Sequence, residues 1–299
     1  MATEVSTEKQ PVFSIFLPTW NNLPFLKLCV ESIEKNSAFP HEILIHVNDG
    51  SDGTLEWVRQ KGYKHTHSEK NVGVCWAMNG LRPLMTTDYI VYINDDMYMC
   101  PGWDTAFMDE IKKIGNKMFF LASTTIQPKG HKYRKIGVPV FDFGRTPQDF
   151  KEKELLERVE KLEIPDTRGC VWPPNIVHRD LWDLVGGYSI EFYPGMGSDP
   201  DFTVKLMMAG VTYFKTLGKS LCYHFMSVSV NRVTKNKGEI QFLRKWGLTV
   251  RAFLQQYQQA DRLWSLPLAD TKKSLRKEHF RSAVKRIYTC LKTTHAPRL

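Results

Sequence analysis

Apolar and polar positions follow one another along this chain in blocks. After a polar leader, Val12–Leu17 (VFSIFL) is a short apolar run with the pattern of a buried strand, and it stops at Pro18, Thr19, Trp20, Asn21 and Asn22. Leu26, Val30 and Ile33 then recur at near-helical spacing, predicting a helix from Pro24 to about Lys35. A second apolar run, Glu42–Val47 (EILIHV), ends in the polar loop NDGSDGT and is followed by helical spacing through Leu55, Trp57 and Val58. A third segment, HTHSEKNVGVCWAMNGLRPLM, carries Asn71, Gly73, Ala77 and Asn79 and leads into Tyr89–Ile93, a buried strand halted by Asn94, Asp95 and Asp96. Strand, polar loop and helix in repeating order predict a parallel sheet with right-handed crossovers, whose strand ends and loops gather on one edge.

The later pattern is less regular. Gln127–Cys170 holds the basic, aromatic stretch KGHKYRKIGVPVFDFGR and a charged helix from about Pro147 to Leu162, with Leu155, Val159 and Leu162 at helical spacing. Leu221–Phe225 (LCYHF) reads as a short strand, followed by the polar loop MSVSVNRVTKNKG. Near the end, Phe280, Val284, Ile287 and Leu291 fall on one face of a predicted helix with basic residues around them.

With 299 residues and 42% apolar content, the chain can bury a full core as one large domain or two closely joined halves. No apolar stretch approaches the roughly 20 residues of a membrane span, and MATEVSTEKQP lacks the apolar centre of a signal peptide, so a cytoplasmic setting is expected. The six cysteines, at 29, 75, 100, 170, 222 and 290, have no close Cys-x-x-Cys pair and suit reduced core thiols. Internal repeats and low-complexity tracts are absent. Of the net charge of +9, a share of +8 lies between Thr271 and Leu299, where nine Lys or Arg face one Glu. The body therefore needs no polyanionic partner. For the tail two readings stand: a helix lying on an anionic membrane surface, or one packed on the body with a solvated basic face. Nucleic acid is disfavoured, since aromatics beyond Phe280 and Tyr288 are sparse there.

The candidate chemistry sits at strand ends. Asn94-Asp95-Asp96 can end a strand as a turn, or can meet a hard divalent cation and the phosphates it carries. In NDGSDGT the glycines allow close backbone approach, and Asp49 can accept a hydrogen bond from a base or ribose. The loop is neither a P-loop nor a Gly-x-Gly-x-x-Gly fingerprint. His65 and His67, in a polar stretch without nearby cysteines, are poor metal ligands. Trp172 beside Pro173-Pro174 reads as buried rather than as a stacking platform for a sugar.

Pro18-Thr19, EILIHVNDGSDGT, EKNVGVCWAMNG and INDDMYMCPGW occur in an order that resembles the inverting, nucleotide-sugar-dependent glycosyltransferases of the GT-A fold, the large family-two group. The resemblance implies an α/β, GT-A-like, mostly parallel sheet flanked by helices, with a C-terminal helical tail. It implies a nucleotide half over 11–121, an acceptor half over 122–236 and a basic helical region over 237–299. On the donor side it places Pro18, Thr19, Asp49, Asn71, Asn79, Asn94 and Asp95, with Asp96 as the direct ligand of Mn2+ or Mg2+ and His224 completing the metal site. The run WPPNIVHRDLWDLVGGYSIEFYPGMGSDPDFTVKLMMAG resembles the family's acceptor-side segment. There Asp199 aligns with the general base and Asp201 with its follower, while Ser198 stands where the family commonly has Glu.

The implied reaction moves a sugar from a nucleoside diphosphate sugar, a uridine one being expected, to a hydroxyl on a glycan, lipid or protein. The acceptor proton needs a carboxylate within reach, and the departing diphosphate needs positive charge. Helix capping is the plain alternative for Asp199 and Asp201. Arg232, Lys235 and Lys237 are expected either to fold over the diphosphate or to form a solvated loop. Two other functions remain to be weighed. A nucleotidyltransferase would need a glycine-rich, cationic loop after the first strand, where PTWNN has neither. A non-catalytic sugar- or membrane-binding protein of the same fold is kept open by Ser198.

Overall fold

The structure, a computed structural model, describes residues 10–129, 138–227 and 237–293, the side chains of the last two excepted. Arg232 and Lys235 lie outside the described residues.

The first half follows the predicted grammar. Strands β1 (Phe13–Trp20), β2 (His41–Asn48) and β4 (Tyr89–Tyr92) form at the expected apolar runs. They are joined through helices α1 (Leu23–Asn36), α2 (Thr54–Lys61) and α3 (Gly73–Leu81). The stretch holding His65 and His67 is itself a strand, β3 (Lys64–Ser68), because it pairs in parallel with β2. His65 Nδ1 lies 2.9 Å from the Tyr63 carbonyl and His67 Nε2 lies 2.9 Å from that of Asp49, so both rings serve the backbone.

Past the acidic turn comes β5 (Met97–Met99), then α4 (Trp103–Ile114) and β6 (Phe119–Ile126). The charged helix is shorter than its pattern predicts: α5 spans Glu152–Val159, with Leu155 buried. There follow β7 (Thr167–Arg168), β8 (Asn175–His178), α6 (Arg179–Val185), α7 (Ser198–Met208) and β9 (Tyr213–His224). The predicted strand at Leu221–Phe225 is thus the far end of a twelve-residue one.

Among the described residues one sheet carries all nine strands, in the order β3-β2-β1-β4-β8-β6-β9-β5 with β7 also on β9. The β3-β2-β1-β4 run is parallel, β8 enters antiparallel between β4 and β6, and β6 and β9 are parallel again. The architecture is α/β and GT-A-like, as the motif order implies. Strand β6 runs across residues 121 and 122, so the two halves share a continuous strand.

Strand alternation builds a core on each face of the sheet. Phe13, Ile15 and Leu17 of β1 point into a cluster with Ile45, Trp103 and Phe107 under α1, α2 and α4. Phe16 of the same strand points the other way, into Cys75, Met78, Trp182 and Phe202 from α3, α6 and α7 and Tyr188 from the loop after α6. Burying one such aromatic side chain stabilises the fold by about 2–3 kcal/mol. A third cluster, including Tyr98, Phe143, Leu155 and Tyr223, ties α5 to the β5–β9 end of the sheet. In β9 a register shift against β6 accompanies Gly218, where a Cβ would stand 1.8 Å from the Ile164 carbonyl oxygen. Beyond this irregularity the strand continues to His224 and pairs with β5.

The C-terminal segment packs as α8 (Gly238–Trp246), α9 (Val250–Ala252, running into a wider π turn over Phe253–Tyr257) and α10 (Lys272–Thr293). No helix among the described residues is long and apolar enough to cross a membrane. Five cysteines, 29, 75, 100, 170 and 222, are buried free thiols as expected, whereas Cys290 is exposed on α10.

Candidate active site

Adjacent parallel strands bring their C-terminal loops together, and the donor-side candidates arrive on three of them. At the end of β1, buried Thr19 donates its hydroxyl to Asp95 Oδ2, 2.6 Å away at the end of β4. After the same strand Asn21 donates to Asp49 Oδ2 at 2.9 Å and accepts the Gly50 amide at 2.8 Å. Asp49 Oδ1 takes the Ser51 amide at 3.2 Å, and these partners hold its carboxyl below the ordinary range. Gly50 has φ +83° and its missing Cβ would lie 2.8 Å from both Val47 and Leu55, so the turn requires glycine. Asn21 carries no signal in the sequence beyond its place in a polar loop, yet it fixes the Asp49 turn.

Asn71 and Asn79 are placed differently from each other. Asn71 Oδ1 accepts the Gly73 amide at 2.8 Å at the start of α3. Asn79 lies near the other end of α3, where Nδ2 donates to the Tyr188 carbonyl and Oδ1 accepts the Tyr188 amide, both at 2.8 Å. Its amide is therefore used to brace Tyr188.

The acidic turn meets β9. Pairing of Met97 with His224 brings the histidine Nε2 to 3.4 Å from Asp96 Oδ2, and the same oxygen accepts the Ser227 amide at 2.8 Å. Burial would raise the Asp96 carboxyl, but His224 and the Ser227 amide outweigh it and hold the group below its ordinary value. An imidazole nitrogen and a carboxylate oxygen at this separation can both reach one divalent ion, whose bonds are about 2.1 Å long. The donor set thus fits Mn2+ or Mg2+ held jointly with phosphate oxygens. Among the described residues, no three His, Cys, Asp or Glu side chains converge.

Asp199 opens α7. The helix is capped by Gly197 at φ +90° with no side-chain cap bond, so neither Asp199 nor Asp201 acts as the cap. Asp199 Oδ1 accepts the Tyr188 hydroxyl at 3.0 Å. Burial pushes its carboxyl up to about 7, an effect the Tyr188 bond opposes. Asp201 is fully buried and serves packing: it accepts Ser189 Oγ at 2.6 Å, Trp246 Nε1 at 2.9 Å and pairs with Lys245 Nζ at 2.8 Å. Ser198 is also fully buried, its hydroxyl donated to the Gly195 carbonyl at 2.6 Å, so this position braces the turn before α7.

A cavity of about 520 Å³ is lined by Asn94 of the acidic turn, Met97 of β5, His224 of β9, Asp199 of α7, and Arg168 and Trp172, whereas Thr19, Asp49, Asn71, Asn79, Asp95 and Asp96 are not among its lining residues. Trp172 is 44% exposed at this cavity, which corrects the expectation that it is buried beside Pro173-Pro174. Chain direction explains the change: Trp172 precedes β8, outside the pleated layer, and only its neighbours are enclosed. Tyr188 was legible as part of Gly186-Gly187-Tyr188 but not as the partner of Asp199, since that contact exists only once α6 and α7 pack.

A GT-A-type sheet with an acidic turn, a histidine and a desolvated carboxylate around one cavity defines a glycosyl-transfer class of protein. The family model "Glycosyl transferase family 2" matches residues 14–173 of the 299, more than half of the chain. The chain belongs to this family and is a glycosyltransferase. Among solved structures, S. aureus TarS residues 1–349 match with TM-score 0.57 and 13% identity over 93% of this chain and 72% of that one. The same fragment in complex with UDP-GlcNAc gives 0.57 and 14% over 93% and 73%. A structure of S. aureus TarS gives 0.56 and 13% over 92% of this chain but 43% of that chain. At these identities the likeness is one of fold. Against individual curated proteins, no sequence relative matches.

Proposed function

We propose that this chain moves a sugar, with inversion and with the help of Mn2+ or Mg2+, from a uridine diphosphate sugar to a hydroxyl acceptor on a glycan, lipid or protein. The observation that carries the reading is that His224, beside Asp96, and Asp199 line one cavity. Donor-side and acceptor-side groups then act on the same space.

Asp199 is the base. Its Oδ1 holds the Tyr188 hydroxyl, which leaves Oδ2 to take the acceptor proton as the acceptor oxygen attacks the anomeric carbon. One bond forms from the opposite face while the sugar–phosphate bond breaks, and the electron pair leaves with the diphosphate. A carboxylate pushed up to about 7 is a stronger base than an ordinary one and is still ionised in part at neutral pH. Asp96 and His224 would hold the metal, which when bound neutralises charge on the diphosphate. Histidine among the ligands favours Mn2+ over the harder Mg2+. The Thr19–Asp95 pair and the Asn21–Asp49 turn support the nucleoside end, in keeping with the UDP and UDP-GlcNAc complexes of TarS. Exposed Trp172 offers an aromatic face to the acceptor. Five buried free thiols support a reducing, cytoplasmic setting.

The loop after β1 favours this reading over nucleotidyl transfer, since PTWNN offers neither glycine nor cation to a triphosphate. The test is release of free nucleoside diphosphate from a panel of nucleotide sugars with Mn2+, Mg2+ or chelator. Consumption of one sugar nucleotide only with metal, lost in Asp96→Ala, is the expected result. No turnover or binding of any donor under any metal would leave a non-catalytic protein of this fold.

A further inference from the structure

Among the described residues, helix α10 is tied to the body through Ser282, Thr289 and His279. The Thr249 amide donates to Ser282 Oγ at 3.4 Å, Arg244 Nη2 donates to the Thr289 carbonyl at 2.9 Å, and His279 Nε2 lies 3.1 Å from the Tyr257 hydroxyl. Ser282 is 1% exposed. At about 100° per residue, Phe280, Val284 and Ile287 fall within roughly 60° of one another and nearly opposite Ser282. They are 72%, 53% and 62% exposed. The apolar stripe that a packed helix would turn inward is therefore turned outward. The helix is packed on the body with its basic residues solvated, as one of the two readings expects, but the apolar stripe takes no part in that packing.

Around this stripe the charge has one sign. Lys273, Lys277, Arg281 and Lys285 are all exposed, and Glu278, the one acidic residue after Asp270, is paired with Arg281 at 2.7 Å. The segment from Thr271 onward carries +8 of the chain's +9.

We propose that the outward face of α10 docks the protein on an anionic lipid bilayer, with Phe280, Val284 and Ile287 entering the headgroup–acyl boundary and the flanking cations meeting lipid phosphates. The inference stands apart from the catalytic reading. A helix with an apolar stripe and basic flanks, too polar to span, matches the pattern that lies in the plane of a membrane surface. A second copy of the chain fits less well, because pairing two such faces sets cation against cation. Nucleic acid would use the cations but has no use for an aliphatic stripe.

The experiment is co-sedimentation of the full chain with vesicles of phosphatidylcholine alone or with about one third phosphatidylglycerol, at low and high salt. Binding to the anionic vesicles, weakened by salt, and lowered at least about tenfold by the triple substitution Phe280→Ser, Val284→Ser, Ile287→Ser, is the expected result. Lys273→Gln with Lys277→Gln should weaken binding to anionic vesicles without altering nucleotide-sugar turnover in solution. Circular dichroism and that turnover confirm that each variant is folded. Absence of binding to anionic vesicles overturns the proposal, as does binding that the triple variant retains in full. A wild-type dimer by light scattering that the triple variant converts to monomer, without vesicle binding, assigns the face to a second copy. Salt-sensitive binding to duplex DNA that the triple variant keeps, without vesicle binding, assigns it to nucleic acid.

Discussion

The Tyr188 hydroxyl donates to Asp199 Oδ1 across 3.0 Å, joining the glycine turn after α6 to the first turn of α7. Asn79 holds the Tyr188 backbone from α3, so three helices fix this one contact. Since the bond favours the ionised carboxylate, Tyr188→Phe should raise the Asp199 pKa further. The acid limb of the kcat/KM profile is expected to move from near pH 7 to about pH 8, with a rate several-fold lower at neutral pH and largely recovered at high pH. A pH–rate profile of both proteins checks this.

Removing the carboxylate should separate activity from stability. Asp199→Asn is expected to lower kcat by about 10²–10⁴-fold. Asp199 has a folded pKa raised from 3.8 to about 7, so the wild type loses stability as pH rises through that window, while the amide does not. The variant's melting temperature should therefore exceed that of the wild type at pH 8, and the difference should vanish below about pH 4. Thermal melts across this range decide it.

At the acidic turn, Asp96→Asn should cost about 100-fold or more in kcat/KM with Mn2+ present. His224→Ala should raise the Mn2+ concentration for half-activation by about tenfold or more. Metal titrations of diphosphate release give both numbers. Chelator should abolish wild-type turnover, and added Mn2+ should restore it.

Lys215 lies buried in β9 with Glu110 Oε1 at 2.8 Å and Asp166 Oδ2 at 2.7 Å. Lys215→Met strands two carboxylates and should destabilise the fold by about 3 kcal/mol at neutral pH. Burial would raise Glu110, but Lys215 and Tyr213 outweigh it and hold it below its ordinary 4.5. That contribution is present above 4.5 and is lost as pH falls through the lower folded value, so the gap between the proteins should narrow in acid. Urea unfolding at pH 7 and at about pH 2–3, below the window, measures it.

Gly73 starts α3 at φ +74°, and a Cβ there would stand 2.6 Å from the Pro194 carbonyl oxygen. Gly73→Ala is expected to destabilise the protein by about 2 kcal/mol, read from denaturant midpoints.

Much of the architecture of residues 11–121 was legible because its strands are continuous apolar runs and its loops are polar. β1, β2 and β4 and the convergence of Thr19, Asp49 and Asp95 follow from that pattern. β5 was not legible: three residues directly after an acidic turn have no period, and they form a strand only because β9 returns to pair with them. The first half of β9 was hidden by Lys215, whose charge is matched by Glu110 more than a hundred positions earlier. The expectation at Asp199 rests on motif order alone. Its desolvation depends on packing that no local window contains.

Strand β6 passes through residues 121 and 122, β8 lies between β4 and β6, and β5 pairs with β9. The two halves are thus interleaved in space although consecutive in sequence. A gene split at this boundary would cut β6 and strip β4 of β8 and β5 of β9, leaving fragments insoluble apart and able to regain activity only when co-expressed. Unfolding of the intact sheet should accordingly be a single event, with no stage at which residues 11–121 stand folded without the rest of the sheet.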